Sequence, residues 1–397
     1  MEPLILYPSN IIAMNKTRLL YLDNIKIFLI FLVILHHVGQ GYGPSGGWWF
    51  YMTSEPKKLD WMGRFFCVNA SFFMGLFFMI SGYFFASSFD KKGFKKYTMD
   101  KIIRYGIPLV FAYWILMPLI FYFNYELYSD NPSLPFFTFF KKIYLGIGEQ
   151  PQWFKPILTW PESDLGFGHL WFVENLLVYA LLYGCLRVLL RKTTFANKFT
   201  LNVYLFSFAF IVLVSVVTVL VRDHYTVGDI KNVLGFLMIE VAHWPIYIGF
   251  LISGIVASQT NMFQKFPSLY GKSLLGIGLL MAAKVYFPWL FPDIINSWSG
   301  QYFEIFETIL GFSLSFGLIV FFRDNLNSTN VLLKNMSDNA YAAYIFHYPI
   351  VIALQFGFDT IPVSLLAKFF IVGFLSILIS FAFSHLIRMP KIVRKVI

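Results

Sequence analysis

Charged residues are scarce in this chain: they make up 13% of its 397 residues, whereas 58% are hydrophobic. A soluble domain carries roughly a quarter charged residues because its surface has to face water. No polar stretch is long enough to form a separate soluble domain. This composition excludes a soluble globular protein. It predicts an all-α polytopic membrane protein in which residues 1–397 form one membrane domain.

Cysteine is also rare. Cys67 and Cys185 both fall in apolar stretches, so we expect small core side chains there and not a disulfide or metal ligands. The net charge is +10, but the basic residues fall in short loops between apolar segments. That pattern is typical of membrane topology and of contact with lipid headgroups. We therefore expect membrane lipids as partners, with no nucleic acid and no metal.

Ten apolar segments are long enough to cross a bilayer, so the sequence predicts about ten transmembrane helices. Twenty of the 31 lysines and arginines fall on the side that includes both ends of the chain, eight on the other, and three inside the segments. By the positive-inside rule both termini are predicted to be cytoplasmic, in a multi-pass protein of the inner (plasma) membrane. One large outer loop is predicted over residues 125–167. The predicted spans are 22–41, 64–87, 104–124, 168–190, 201–221, 239–258, 272–290, 302–322, 340–356 and 362–387.

The first predicted helix carries ionisable residues, which are costly inside a membrane and therefore candidates for function. Lys26 and His37 are eleven residues apart, which places them about 20° from alignment on one helical stripe and about 16 Å apart along the axis. His36 points elsewhere. This stripe suits an anionic group held at Lys26 and a reacting atom at His37. The structural alternative is a lysine that reaches the headgroups and histidines bonded between helices.

Two later polar residues are further catalytic candidates. Glu174 lies three residues after Trp171 and suits orienting an imidazole or binding a sugar hydroxyl, or else pairing with a base at the interface. His347 lies one turn after Tyr344, where Pro349 loosens the helical hydrogen bonds, and a contact with another helix is its alternative role.

Other intramembrane and interfacial residues are predicted to be structural. Lys284 and Glu307 fall on consecutive helices, and we expect them to pair with each other. The remaining histidines fall at span ends or in loops, where solvated or packing roles dominate; these are His169, His224, His243 and His385.

Several motifs in order along the chain resemble the acyltransferase-3 family of integral-membrane acyltransferases. The first helix has Leu22 and Asp23, then Lys26, then ten residues and His37. The resemblance continues over residues 77–83, Lys101 and Arg104 followed by Pro108, residues 168–172 and residues 340–349. Residues 36–48 look closest to the branch that includes the glucan-modifying membrane succinyltransferases.

The resemblance implies a donor and an acceptor. It implies acetyl- or succinyl-coenzyme A bound on the cytoplasmic side, and a glycan or lipid-linked saccharide hydroxyl as acceptor in the cell envelope. Lys26, Lys101 and Arg104 would then bind the coenzyme A phosphates, because Lys101 and Arg104 share a helical face. The alternative for Lys101 and Arg104 is ordinary anchoring at the inner interface.

This sequence departs from the family pattern in three respects. Positions 26 and 101 are lysine, where arginine is commoner in the family. Lysine keeps the positive charge but lacks the planar guanidinium group that binds a phosphate through two hydrogen bonds. No hydrolase-like domain is expected beside the membrane domain. His37 would act as a general base or be acylated transiently, and the residues leave both open.

A proton-coupled secondary transporter is the alternative from a different functional class, because intramembrane histidines and carboxylates also line proton pathways. Transporters often contain inverted repeats with helices broken at matching positions. The sequence shows no such pairing, since the loop over residues 125–167 has no counterpart in the second half. We therefore favour the acyltransferase.

Overall fold

The fold is helical, as the composition predicts, apart from one short hairpin. The computed structural model describes residues 18–44, 51–128, 132–148, 155–157, 166–190, 201–233 and 237–397. Its α-helices in chain order are α1 Leu20–Tyr42, α2 Met62–Lys101, α3 Ile107–Phe111, α4 Met117–Tyr128, α5 Phe136–Phe139, α6 Trp171–Leu189, α7 Val203–Arg222, α8 Trp244–Thr260, α9 Met262–Lys265, α10 Ser268–Tyr286, α11 Asp293–Gln301, α12 Phe303–Asn325, α13 Val331–Asp359, α14 Leu365–Ile387 and α15 Lys391–Arg394.

Shorter elements connect these helices. The strands β1 Ile230–Val233 and β2 Leu237–Glu240 pair antiparallel, with Ile230 opposite Glu240. The single-turn elements are the π-helices Ile102–Gly106, Ala112–Leu116 and Phe140–Tyr144 and the 3₁₀-helices Gly168–Leu170, Val241–His243 and Pro288–Leu290. Part of the predicted outer loop 125–167 lies outside the described residues.

In the described part of the chain, eight helices are long and apolar enough to cross a membrane. One of them, Met62–Glu126, covers 65 residues and contains the predicted spans 64–87 and 104–124. It is not straight, because Gly93 has φ 69° and ψ 172°, and Lys92 pairs with Asp100 at 2.9 Å across the bend. The predicted span 272–290 corresponds to α10, which is not among the eight. The total of ten therefore stays a prediction.

Helix α1 lies inside the bundle, where it packs against α2, α12, α13 and α14. The most extensive helix contacts join α2 with α8, α10 with α12 and α13 with α14. At the α2–α8 contact a Cβ on Gly82 would lie 2.2 Å from the carbonyl oxygen of Leu251, and a Cβ on Gly254 would lie 1.8 Å from that of Met79. The two glycines therefore allow the two backbones to touch, which is the usual basis of close helix packing in membranes.

This contact predicts the effect of adding one methyl group. Gly254→Ala forces α8 away from the Met79 carbonyl, so we expect the free energy of unfolding to fall by about 1–3 kcal/mol. Gly276→Ala on α10 is the matched control, because its Cβ meets no atom within 4 Å and alanine favours a helix. Thermal unfolding of the purified protein in detergent measures both. Equal melting temperatures for the two variants would contradict the packing argument.

Candidate active site

A cavity of about 900 Å³ opens between α1, α2, α6 and α13. Along α1 it runs from Arg18 to Ile30, and its lining includes apolar side chains such as Phe77, Ile80 and Phe172. Two acidic side chains, Asp23 and Asp100, line it together with seven basic ones: Arg18, Lys26, Lys91, Lys92, Lys101, Arg104 and Lys265. The cavity is therefore strongly cationic, and it contains all three residues predicted to bind the donor.

The cations in this cavity differ in their partners. Lys26 pairs with Asp23 at 2.7 Å, and Lys92 pairs with Asp100. Lys101 is only 5% exposed, and its Nζ lies 4.9–5.4 Å from three aromatic ring centroids, those of Phe85, Tyr97 and Tyr105. Among the described residues no carboxylate pairs with it. Lys101 is thus a buried cation held by ring faces, not a lysine that anchors the chain at an interface.

Arg104 is positioned by α13. Its guanidinium lies 5.6 Å from the ring of Tyr341, whose hydroxyl donates a hydrogen bond to the Arg104 carbonyl at 2.8 Å. The cavity lining includes both side chains. The contact therefore joins the first turn after α2 to the helix that carries His347.

Three imidazoles from different parts of the chain lie in a row, here called the histidine row: His37, His347 and His169. The ring centroids of His37 and His347 are 5.3 Å apart, and those of His347 and His169 are 5.2 Å apart. His169 also stacks on Tyr348 at 4.5 Å, with the planes only 5° apart. The row therefore joins α1, the start of α6 and α13.

His36 and His37 lie on different faces of α1, about 100° apart, as their spacing predicts. The His36 ring packs against Phe66 at 4.8 Å and Phe73 at 5.2 Å on α2. The His37 ring instead meets α13. Only the second of these adjacent histidines belongs to the row.

Hydrogen bonds set which ring nitrogens carry protons. His347 Nδ1 lies 2.7 Å from the Tyr344 carbonyl oxygen, and His169 Nε2 lies 2.9 Å from the Ile345 carbonyl oxygen. Because a carbonyl only accepts, both of these nitrogens are N–H donors. His37 Nδ1 lies 2.9 Å from Gln40 Oε1 and is a donor for the same reason, so the lone pair of neutral His37 is on Nε2.

Pro349 explains why the Ile345 carbonyl is available to His169. In a regular helix the carbonyl of residue 345 accepts from the N–H of residue 349, and proline has no N–H. The imidazole of His169 supplies the missing donor. The proline in α13 and the histidine before α6 are therefore complementary parts of one contact.

Tyr344 separates the cavity from the histidine row. It lines the cavity, and its ring centroid lies 5.8 Å from that of His347 and 6.1 Å from that of His169. Its hydroxyl donates to the His169 carbonyl. The histidines themselves are not in the lining, so here the cavity ends one aromatic ring short of His347 and His169.

Glu174 is buried, at 3% exposure, in the first turn of α6. Its Oε2 accepts a hydrogen bond from the Met238 N–H at 3.3 Å, and the neighbouring Asn175 side chain donates to the Met238 carbonyl at 3.0 Å. Within the described residues it makes no hydrogen bond to an imidazole. The contacts thus place Glu174 against β2, and a catalytic role for it stays a prediction.

His169 was not among the predicted site residues, because it falls at the end of a predicted span. One local signal was the preceding glycine: Gly168 has φ 51°, and a Cβ there would lie 2.8 Å from the end of the Met117 side chain. No group of His, Cys, Asp or Glu side chains suited to a metal ion occurs in the described part of the chain.

The predicted pair of Lys284 and Glu307 is wrong. Glu307 pairs with Arg222 at 2.6 Å and with His243 at 3.2 Å, because the end of α7 and the start of α8 both meet α12 there. Lys284 instead donates to Ser299. His243 also pairs with Glu240 at 3.0 Å, so its predicted packing or solvated role is replaced by a buried ion pair.

This ion cluster predicts a large stability effect. Arg222→Met keeps the side-chain length but leaves Glu307 buried with only His243, so we expect unfolding to become easier by about 3–5 kcal/mol. Lys231→Met is the control, because its pair with Asp229 is exposed and contributes little. Thermal unfolding in detergent compares the two variants, and a melting temperature for Arg222→Met as high as that of the control would refute the prediction.

Comparison with known proteins identifies the class. A family model described as an acyltransferase domain matches residues 19–385, so the chain belongs to the acyltransferase-3 family. It is an acyltransferase enzyme and, with its apolar helices, a multi-pass membrane protein. This decides between the enzyme and the transporter.

Curated relatives match over shorter segments. Glucans biosynthesis protein C of Escherichia coli O6:K15:H31 (strain 536 / UPEC) is 29% identical over 161 residues, which cover 40% of this chain and 36% of the relative. The protein of the same name from Escherichia coli O1:K1 / APEC is 35% identical over 92 residues, 23% of each chain. The matched segments thus span well under two thirds of these relatives. No solved structure matches the chain.

Proposed function

We propose that this protein transfers an acetyl or succinyl group from cytoplasmic acyl-coenzyme A to a hydroxyl of an envelope glycan or lipid-linked saccharide. The inner (plasma) membrane is the site of this reaction. The observation that carries the proposal is the arrangement along α1, where a cationic cavity ends beside a row of three imidazoles. The relatives named for glucan biosynthesis support a saccharide as the acceptor.

The cavity suits the coenzyme end of the donor. Coenzyme A carries several phosphate groups, and phosphates bind most strongly where lysine and arginine side chains donate charge-assisted hydrogen bonds. Lys101, Arg104 and Lys26 all line the cavity. The phosphates bind among these residues, and the narrow arm of the coenzyme extends along α1 past Ile30.

The reacting end of the donor lies at His37. Lys26 and His37 are about 16 Å apart along the helix axis, so an elongated donor is needed to bridge them. A small donor held by its charge at Lys26 would not reach the imidazole. The acyl-coenzyme A donor that the family resemblance implies carries its thioester on such an arm.

His37 acts as the general base. Its Nδ1–H is held by Gln40 Oε1, so Nε2 takes the proton from the acceptor hydroxyl. The hydroxyl oxygen then attacks the thioester carbonyl carbon and forms the ester, while the carbon–sulfur bond breaks. The leaving thiolate takes the proton back from Nε2, which yields free coenzyme A and restores neutral His37.

Adjacent histidines provide a matched test of this mechanism. His37→Phe and His36→Phe are the same chemical change at neighbouring positions, and each keeps an aromatic ring in its pocket. We expect His37→Phe to lower acyl transfer at least about 100-fold, the usual range for losing a general base, whereas His36→Phe keeps most of it. Membranes with either variant or the unmodified protein are supplied with radiolabelled acetyl- or succinyl-coenzyme A, and label in envelope glycan is counted.

The same experiment tests the whole proposal. The donor that labels the glycan identifies the acyl group. Full activity of folded His37→Phe would refute the role of His37. No labelling by the unmodified protein from either donor, in membranes that contain the natural glycan, would refute the proposed donor and acceptor.

The donor site has its own test. Lys101→Met keeps the side-chain volume but removes the cation, so we expect KM for acyl-coenzyme A to rise at least about tenfold with a smaller change in kcat. Lys95→Met is the control, since Lys95 is exposed and does not line the cavity. Initial rates at several donor concentrations measure both. An unchanged KM in Lys101→Met would show that the phosphates bind elsewhere.

A further inference from the structure

Two imidazole nitrogens of the histidine row are buried hydrogen-bond acceptors to which no described residue donates. His347 is 0% exposed and His169 is 4% exposed. Since His347 Nδ1–H and His169 Nε2–H donate to backbone carbonyls, the lone pair of each neutral ring is on the other nitrogen. Among the described residues, neither His347 Nε2 nor His169 Nδ1 has a hydrogen-bond partner.

Adding a proton to His347 Nε2 or His169 Nδ1 would not compensate for the missing hydrogen bond. A second proton would place a positive charge in a buried site, and among the described residues no carboxylate contacts either ring. A buried unpaired charge costs more than a buried unpaired neutral group. Both rings are therefore neutral, and each has one nitrogen that can only accept a hydrogen bond. A buried acceptor that receives no hydrogen bond carries the full free-energy cost of having been removed from water.

These nitrogens lie at the place where the reaction is proposed to occur. His347 is stacked against His37, and both His347 and His169 lie next to Tyr344, where the cavity ends. A group that enters this region and carries O–H or N–H donors would satisfy both nitrogens. The thioester itself carries only acceptors and does not.

We propose that His347 Nε2 and His169 Nδ1 form a substrate subsite that accepts hydrogen bonds from O–H or N–H groups. This inference rests on the proposed function. Two parts of the substrates carry such donors: the hydroxyls of the saccharide that flank the reacting one, and the amide N–H groups of the coenzyme arm. A histidine that accepts a hydrogen bond from either group binds a substrate of the acyl transfer. The sequence did not predict this role for His169.

Asparagine and glutamine separate the two bonds that each histidine makes. An asparagine amide reaches the level of Nδ1, and a glutamine amide reaches the level of Nε2. At position 169, His169→Asn supplies an acceptor in place of Nδ1 but loses the bond to Ile345, whereas His169→Gln keeps that bond and loses the acceptor. At position 347 the assignment is reversed: His347→Gln supplies the acceptor, and His347→Asn keeps the bond to Tyr344.

The subsite therefore predicts a crossed order of activities. For acyl transfer to laminaritriose, we expect kcat/KM to be at least about tenfold higher for His169→Asn than for His169→Gln. At position 347 we expect it to be at least about tenfold higher for His347→Gln than for His347→Asn. The full-length protein is purified in detergent and assayed with radiolabelled acetyl-coenzyme A and with radiolabelled succinyl-coenzyme A, first with water as acceptor and then with laminaritriose, a β-linked glucose trisaccharide. Melting temperatures show which variants fold, and either position alone supplies a test.

The two assays identify the source of the hydrogen bonds. A raised KM for laminaritriose points to saccharide hydroxyls, and a raised KM for the acyl-coenzyme A with both acceptors points to the amides of the donor arm. The opposite order at a position where both variants fold, or equal activities there, would overturn the subsite, because the histidine would then act only through its backbone contact. Absence of transfer by the unmodified protein to both acceptors, from acetyl- and from succinyl-coenzyme A alike, would instead refute the proposed function, on which the subsite depends.

Discussion

Helix α1 is enclosed by α2, α12, α13 and α14, and the candidate site depends on that enclosure. Inside a membrane the backbone has to satisfy its own hydrogen bonds, so chemistry is carried by side chains that project from helix faces. His37 meets His347 because α1 and α13 are in contact, and Lys26 meets the cavity because the same face continues along α1. One face of one helix thus connects the cationic cavity to the imidazoles.

The contact between α13 and the start of α6 shows how a broken helical bond is used. Pro349 removes the N–H that would pair with the Ile345 carbonyl, and an unpaired carbonyl inside a membrane is costly. His169 Nε2–H supplies the missing donor. The cost of the proline is thereby offset, and the same bond determines which nitrogen of His169 keeps its lone pair. The missing backbone N–H in α13 thus orients a side chain of another segment.

Features that depend on periodicity and hydropathy could be predicted from the sequence, and features that depend on helix neighbours could not. The different faces of His36 and His37 follow from 100° per residue, and the structure confirms that they contact different helices, α2 and α13. The partner of Glu307 was predicted wrongly: α10 and α12 are neighbours as expected, but the sequence does not show that Arg222, from the end of α7, also reaches Glu307. His169 was missed for the same reason: its contact with α13 joins segments far apart in the chain.

The distribution of charge in the cavity between α1 and α2 bears on how a donor would lie. Lys26 and Lys92 share their charge with carboxylates, but Lys101 is held by three ring faces and is not neutralised by any described carboxylate. Ring faces compensate partly for the lost water without cancelling the charge, so Lys101 remains available to an anion. Among the described residues no carboxylate contacts the ring of His347 or His169. Under the proposed function, the polyanionic end of the donor therefore binds among the cations of the cavity, and its acyl end points toward His37.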